Sequence, residues 1–154
     1  MASIDYQEVF ENFLGNINDP DLFNLNASDA YSLMAEYLHK TVANPYVRHL
    51  FITAELDDET QVFSYEVKNS VDDNTDKEFI ITALGKWMAY EWLQKEAKSK
   101  LLTSQFFGGK EAKFYAQSSQ LSNVQALRDS AYKEARDYIR DNGYINNPYL
   151  SEQS

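Results

Sequence analysis

The chain has 154 residues, 44% of them hydrophobic, with a net charge of −10 and no cysteine. That length fits one domain with a sizeable core, and the lack of thiols excludes disulfides, cysteine nucleophiles and cysteine-held metals. No apolar run approaches the roughly 18 residues of a membrane span, and the excess of acid disfavours wrapping duplex DNA.

Ser3 is predicted to cap a short helix with apolar positions Ile4, Val9, Phe10, Phe13 and Leu14, and Gly15 sits where a C-cap glycine belongs. A loop containing Asp19-Pro20 follows. Ser28 is predicted to cap a second helix, with Asp29 favourably placed near its N-terminus. Ala30, Leu33, Met34, Tyr37, Leu38 and Val42 recur there at the helical period. Asn44-Pro45 ends it, because the residue before proline is pushed out of the helical region.

Residues 47 to 74 read as an irregular or hairpin arm. Leu50 to Thr53 and Gln61 to Val67 favour strand, and Asp57-Asp58-Glu59 between them suits a turn. Ser70 to Asn74 is a polar loop. Thr75-Asp76-Lys77-Glu78 then has the form of a capping box. The helix it opens is expected to run to about Thr103, with Ile80, Leu84, Trp87, Met88, Glu91 and Lys95 along one face. Gly85 inside it costs about 1 kcal/mol relative to alanine and suits the close approach of a neighbouring element. Gly108-Gly109 is read as a break, and Ser122 as the cap of a last helix. Its seam is Val124, Leu127, Ala131, Ala135, Tyr138 and Ile139, closed by Asn142-Gly143. The expected fold is mostly α: a small bundle of about four helices over residues 1–143, with the arm at 47–74 and an extended tail at 144–154.

The charge is unevenly placed. Residues 1–78 hold 16 acidic and 4 basic side chains, a net of −12, whereas residues 79–154 hold 8 acidic and 10 basic, a net of +2. Solubility accounts for such a surface in bland terms; the sharper reading is an electronegative surface that passes or mimics nucleic acid.

Catalytic and metal signatures are weak. Glu36-Tyr37-Leu38-His39 is half of a di-iron helix signature, but Tyr46 stands where His49 would need its glutamate. Asp72 to Asp76 resembles the start of a calcium loop, yet Lys77 and Ala83 occupy the positions that need glycine and glutamate. Gly108-Gly109-Lys110 ends like a phosphate loop, but Ser104 and Glu111 break the pattern. Two histidines allow no plausible Ser-His-acid set, so no enzyme, metal or cofactor is expected. What remains is aromatic density: 11 Tyr, 9 Phe and 2 Trp. Phe106, Phe107, Phe114 and Tyr115 are read as an aromatic loop, either capping the bundle or meeting a partner.

Glu78-Phe79-Ile80-Ile81, Leu84, Met88 and Trp92-Leu93, followed by Phe114-Tyr115, Ser118 and Leu121, resemble a stretch of the head-tail connector (adaptor) proteins of tailed bacteriophages. The pattern is an acid-capped helix ending near Trp-Leu, a variable loop, then an aromatic and serine-bearing approach to the last helix. The likeness covers roughly residues 28–142. It implies a helical subunit of a dodecameric ring in the virion neck, assembled in the host cytoplasm. Its partners would be the portal protein and a neck or tail protein, and DNA would pass through without specific binding. The tail, with Tyr144, Tyr149 and Leu150, would insert into the portal, and part of the set Glu55, Asp57, Asp58, Glu59, Asp72 and Asp73 would face the channel. The competing reading is a small acidic inhibitor that mimics DNA and binds a nucleic-acid enzyme.

Overall fold

The computed structural model describes residues 2–17, 27–107 and 111–142, and the side chains of 2–17, 27–98 and 122–142. The protein is mostly helical, with one small antiparallel sheet. Strand β1 (Ala2–Asp5) leads straight into helix α1 (Tyr6–Gly15). Helix α2 (Ala27–Ala43), the single turn α3 (Pro45–Arg48) and the hairpin β2 (Phe51–Asp57) and β3 (Val62–Val67) follow. Two long helices, α4 (Asp73–Phe107) and α5 (Glu111–Asp141), complete the fold.

The arm at 47–74 is therefore a hairpin joined by a third strand. The order is β1-β3-β2, with Ile4 opposite Phe63 and Leu56 opposite Phe63 from the other side. A register shift between Phe51 and Thr53 leaves Ile52 exposed, the usual effect of a bulge. The hairpin turn is fixed by Asp57, whose Oδ1 accepts from the backbone amides of Glu59 (3.0 Å) and Thr60 (3.2 Å). Gln61 closes it at φ 56°, a left-handed conformation that costs a side-chain-bearing residue about 1–2 kcal/mol. Its carbonyl accepts from the Tyr6 amide at 2.9 Å, so the hairpin turn and the β1–α1 junction are tied together.

Several local expectations need correcting. Ser3 caps no helix; it lies in β1, where the ladder to β3 outweighs local propensity, and Asp5 is the N-cap of α1 with Glu8 reaching back to its amide. Gly15 is the last residue of α1 and Asn16 the C-cap, in right-handed geometry that needs no glycine. Asp72, rather than Thr75, caps α4: its carboxylate accepts from the Thr75 amide (2.8 Å) and hydroxyl (2.9 Å). Ser122 lies inside α5, which starts at Glu111. Phe106 and Phe107 belong to α4 and Phe114 and Tyr115 to α5, so the expected aromatic loop is helix at both ends; no proline falls in either helix. Leu127, expected in the seam, is exposed.

One core joins the layers. The inner sheet face (Ile4, Phe51, Phe63, Tyr65, Val67) packs with Val9, Phe10 and Phe13 of α1, Tyr37 and Leu38 of α2, and Ile80, Leu84, Trp87 and Met88 of α4. Helix α5 reaches this core through Ala135 and Ile139, and otherwise packs along α4. Gly85 is where α1 and α4 come closest: a Cβ there would lie 2.0 Å from Asn12 Oδ1. Asp76, buried in the first turn of α4, accepts from the Ser70 hydroxyl (2.5 Å) and the Val71 amide (3.0 Å), which satisfies its charge and seals the loop from β3.

Candidate functional site

An open cleft of about 670 Å³ runs between α2 and the hairpin turn, lined by Tyr6, Ser32, Glu36, His39, Asp58 and Gln61, among others. Glu36 and His39 share a helix face because they are three residues apart. His39 is not an idle helix-end residue: its Nε2 lies 2.8 Å from Asp58 Oδ1 and 3.0 Å from Oδ2. Tyr6 donates its hydroxyl to the same Oδ1 at 2.7 Å. The Tyr6 hydrogen bond, then that of His39, holds the Asp58 carboxyl below its ordinary value. Burial, then Asp58, pushes the Tyr6 phenol far above the ordinary tyrosine range, so at neutral pH it keeps the proton that it donates to Asp58. Glu36 pairs with Lys40 at 3.2 Å. The charged groups are thus engaged with one another, and the arrangement is a latch that pins the hairpin turn to α1 and α2. Among the described residues no three histidine or acidic side chains converge closely enough to hold a metal ion.

The expected acidic set is exposed throughout and falls at three places. Asp57, Asp58 and Glu59 lie at the hairpin turn, Asp72 and Asp73 at the start of α4, and Glu55 on the outward face of β2. Three of the six have local structural work: Asp57 holds the turn, Asp58 the latch and Asp72 the helix cap. The sequence suggested a turn at Asp57-Asp58-Glu59 but not these bonds, and two other outward carboxylates, Asp5 and Glu66, were not in the expected set. Along the outer sheet face Asp5 and Asp57 flank Val62, Ser3 and Glu55 flank Ser64, and Glu66 lies opposite Thr53. The three strands contain no lysine, arginine or histidine. Strict two-residue alternation in β3 was the signal that could have placed Glu66 outward.

A second surface lies on the helical side. Tyr46, 46% exposed, stacks on buried Trp87 with 5.8 Å between ring centroids and meets Tyr132 of α5 edge-on at 6.3 Å. A hydrogen bond with Tyr46 is the main cause that raises the Tyr132 phenol above its ordinary value. Arg136 lies over the Tyr132 ring at 5.6 Å, and exposed Lys133 is one turn away. Neither cation has a carboxylate partner among the described residues, whereas Arg128 and Arg140 pair with Asp129 and with Asp137 and Asp141.

Tyr144, Tyr149 and Leu150 lie outside the described residues, as do Asp19-Pro20, Gly108-Gly109 and the side chains of Phe106, Phe107, Phe114 and Tyr115. No helix among the described residues is long and apolar enough to cross a membrane. No protein-family profile, characterised protein or solved structure matches the chain.

Proposed function

We propose that the chain is a structural subunit of a tailed-phage neck, forming an oligomeric ring between the portal and the tail or next neck protein. The observation that carries this reading is the division of charge by surface. Exposed carboxylates gather on the sheet strands, which hold no cation, and beside the hairpin, whereas the described side chains of α5 include four acids and four bases, Lys133 and Arg136 among them. A channel for DNA works best when its wall repels phosphate, so that the duplex slides without sticking. In the ring, Asp58 and Glu59 at the turn and Asp72 and Asp73 at the head of α4 face the channel or its rim. On this reading the tail, with Tyr144, Tyr149 and Leu150, would insert into the portal, and Phe106, Phe107, Phe114 and Tyr115 would meet a partner.

Removal of residues 144–154 tests the portal contact. The truncated chain should keep its helical circular dichroism and lose capture of the portal oligomer from infected cells. Capture at the level of the full chain would contradict the assignment of the tail.

A further inference from the structure

Helix α5 ends beside a chemically reactive pair of residues. Asn142 is the one asparagine in this chain that a glycine follows. Glycine has no Cβ, so little hinders its backbone nitrogen from reaching the preceding side-chain amide. Asn142 lies just past the helix, which closes at Asp141, and it is half-buried, so water reaches it. It also holds the helix end together. Its backbone amide (3.1 Å) and its Nδ2 (2.9 Å) both donate to the Tyr138 carbonyl, one of the last four that the helix cannot satisfy itself. Tyr138 in turn stacks on Phe79 of α4 at 5.5 Å, with the Lys86 ammonium 5.6 Å from its ring centre. The same turn already carries Asp137 and Asp141, and Arg140 reaches both, at 3.2 and 3.5 Å.

We infer that Asn142 is a site of spontaneous deamidation, and that its conversion loosens the last turn of α5 from α4. The Gly143 backbone nitrogen attacks Asn142 Cγ. A C–N bond forms, the bond from Cγ to Nδ2 breaks, and the Nδ2 amino group leaves as ammonia with the proton lost by the attacking nitrogen. One water molecule then opens the cyclic imide at either carbonyl and leaves aspartate or isoaspartate at this position. The step needs no oxidant, metal or enzyme. A carboxylate only accepts where Nδ2 donated, so two acceptors then face each other at the Tyr138 carbonyl. The new negative charge also stands at the negative end of the helix, in the same turn as Asp137 and Asp141. Both effects act against the same turn. The inference uses the end of α5 alone and stands apart from the ring reading.

The test is to hold the full chain in warm, mildly alkaline buffer for several weeks and follow its peptides by mass spectrometry. The peptide with Asn142 should gain the mass of an amide-to-acid exchange, and isoaspartate, several-fold faster than the peptide with Asn69, which Ser70 follows. Gly143→Ala should slow that gain several-fold and leave the helical circular dichroism unchanged. Asn142→Asp supplies the altered helix end at once. Its amides at residues 139–142 should exchange hydrogen several-fold faster than those of the original chain, while the amides of α2 keep their rates. Equal conversion at Asn142 and Asn69 overturns the site. Unchanged exchange in Asn142→Asp overturns the loosening.

Discussion

The inner and outer faces of the sheet use alternate residues of the same strands and have opposite chemistry. Along β3, Phe63, Tyr65 and Val67 are buried while Ser64 and Glu66 between them point outward. The inner face is constrained by every neighbour it touches: Phe63 meets Phe51 edge-on at 5.4 Å and stacks on Tyr65 at 5.4 Å. The outer face is more exposed, so packing constrains its composition less, and apart from Val62 its paired residues are acidic or small and polar. What distinguishes the two faces is how much each side chain is free to serve something other than stability, and the carboxylates fall where that freedom is greatest.

Breaking the inner face should have the largest effect. Phe63→Ala is expected to lower the unfolding free energy by about 3–5 kcal/mol in urea, because the hole it leaves is walled by Phe51, Tyr65 and Leu56. Glu66→Ala, three residues further along the same strand, should stay within about 0.5 kcal/mol. Comparable losses at the two positions would erase the distinction between the faces.

A smaller effect sharpens the comparison at the turn, where one outward carboxylate is engaged. Tyr6→Phe removes the donor to Asp58 and should cost about 1 kcal/mol near neutral pH. The sign of its pH dependence follows from the lowered Asp58 pKa, which the Tyr6 hydrogen bond does most to cause. A carboxyl held below its ordinary value stabilises the fold above about pH 3.9, and the contribution disappears as pH falls below that. The gap between the original chain and Tyr6→Phe should therefore narrow on acidification through about pH 4. A gap that stays constant would show that the phenol acts by packing and not through Asp58.

Much of the fold could be read from residue spacing. The helical period through Met34, Tyr37, Leu38 and Val42 and the stop at Asn44-Pro45 match α2. The two strand-prone runs around Asp57-Asp58-Glu59 are the hairpin, and Ile80, Leu84, Trp87 and Met88 are the buried face of α4. What escaped the sequence depends on distant partners. Four residues of β1 carry too little pattern to outweigh a nearby helix signal, and they become a strand only because β3 is there to pair with them. Asp72 and Thr75 both suit an N-cap, and the Asp72 carboxylate takes the Thr75 amide and hydroxyl together, which sets the start at the earlier residue. The latch joins Tyr6 to Asp58 across 52 positions and His39 to Asp58 across 19, separations at which spacing carries no signal. The patch around Tyr46 was hidden for the same reason, since its rings come from α3, α4 and α5.

As proposed above, the chain would work as a ring subunit whose acids repel DNA instead of imitating it. The most direct measurement is to express a tagged copy in its native source, capture it, and image and mass-identify what accompanies it. Rings of this chain seated on a larger oligomeric collar identified as the portal are the expected result. A single DNA-processing enzyme bound at a one-to-one ratio, with no ring, would contradict it and favour an acidic inhibitor.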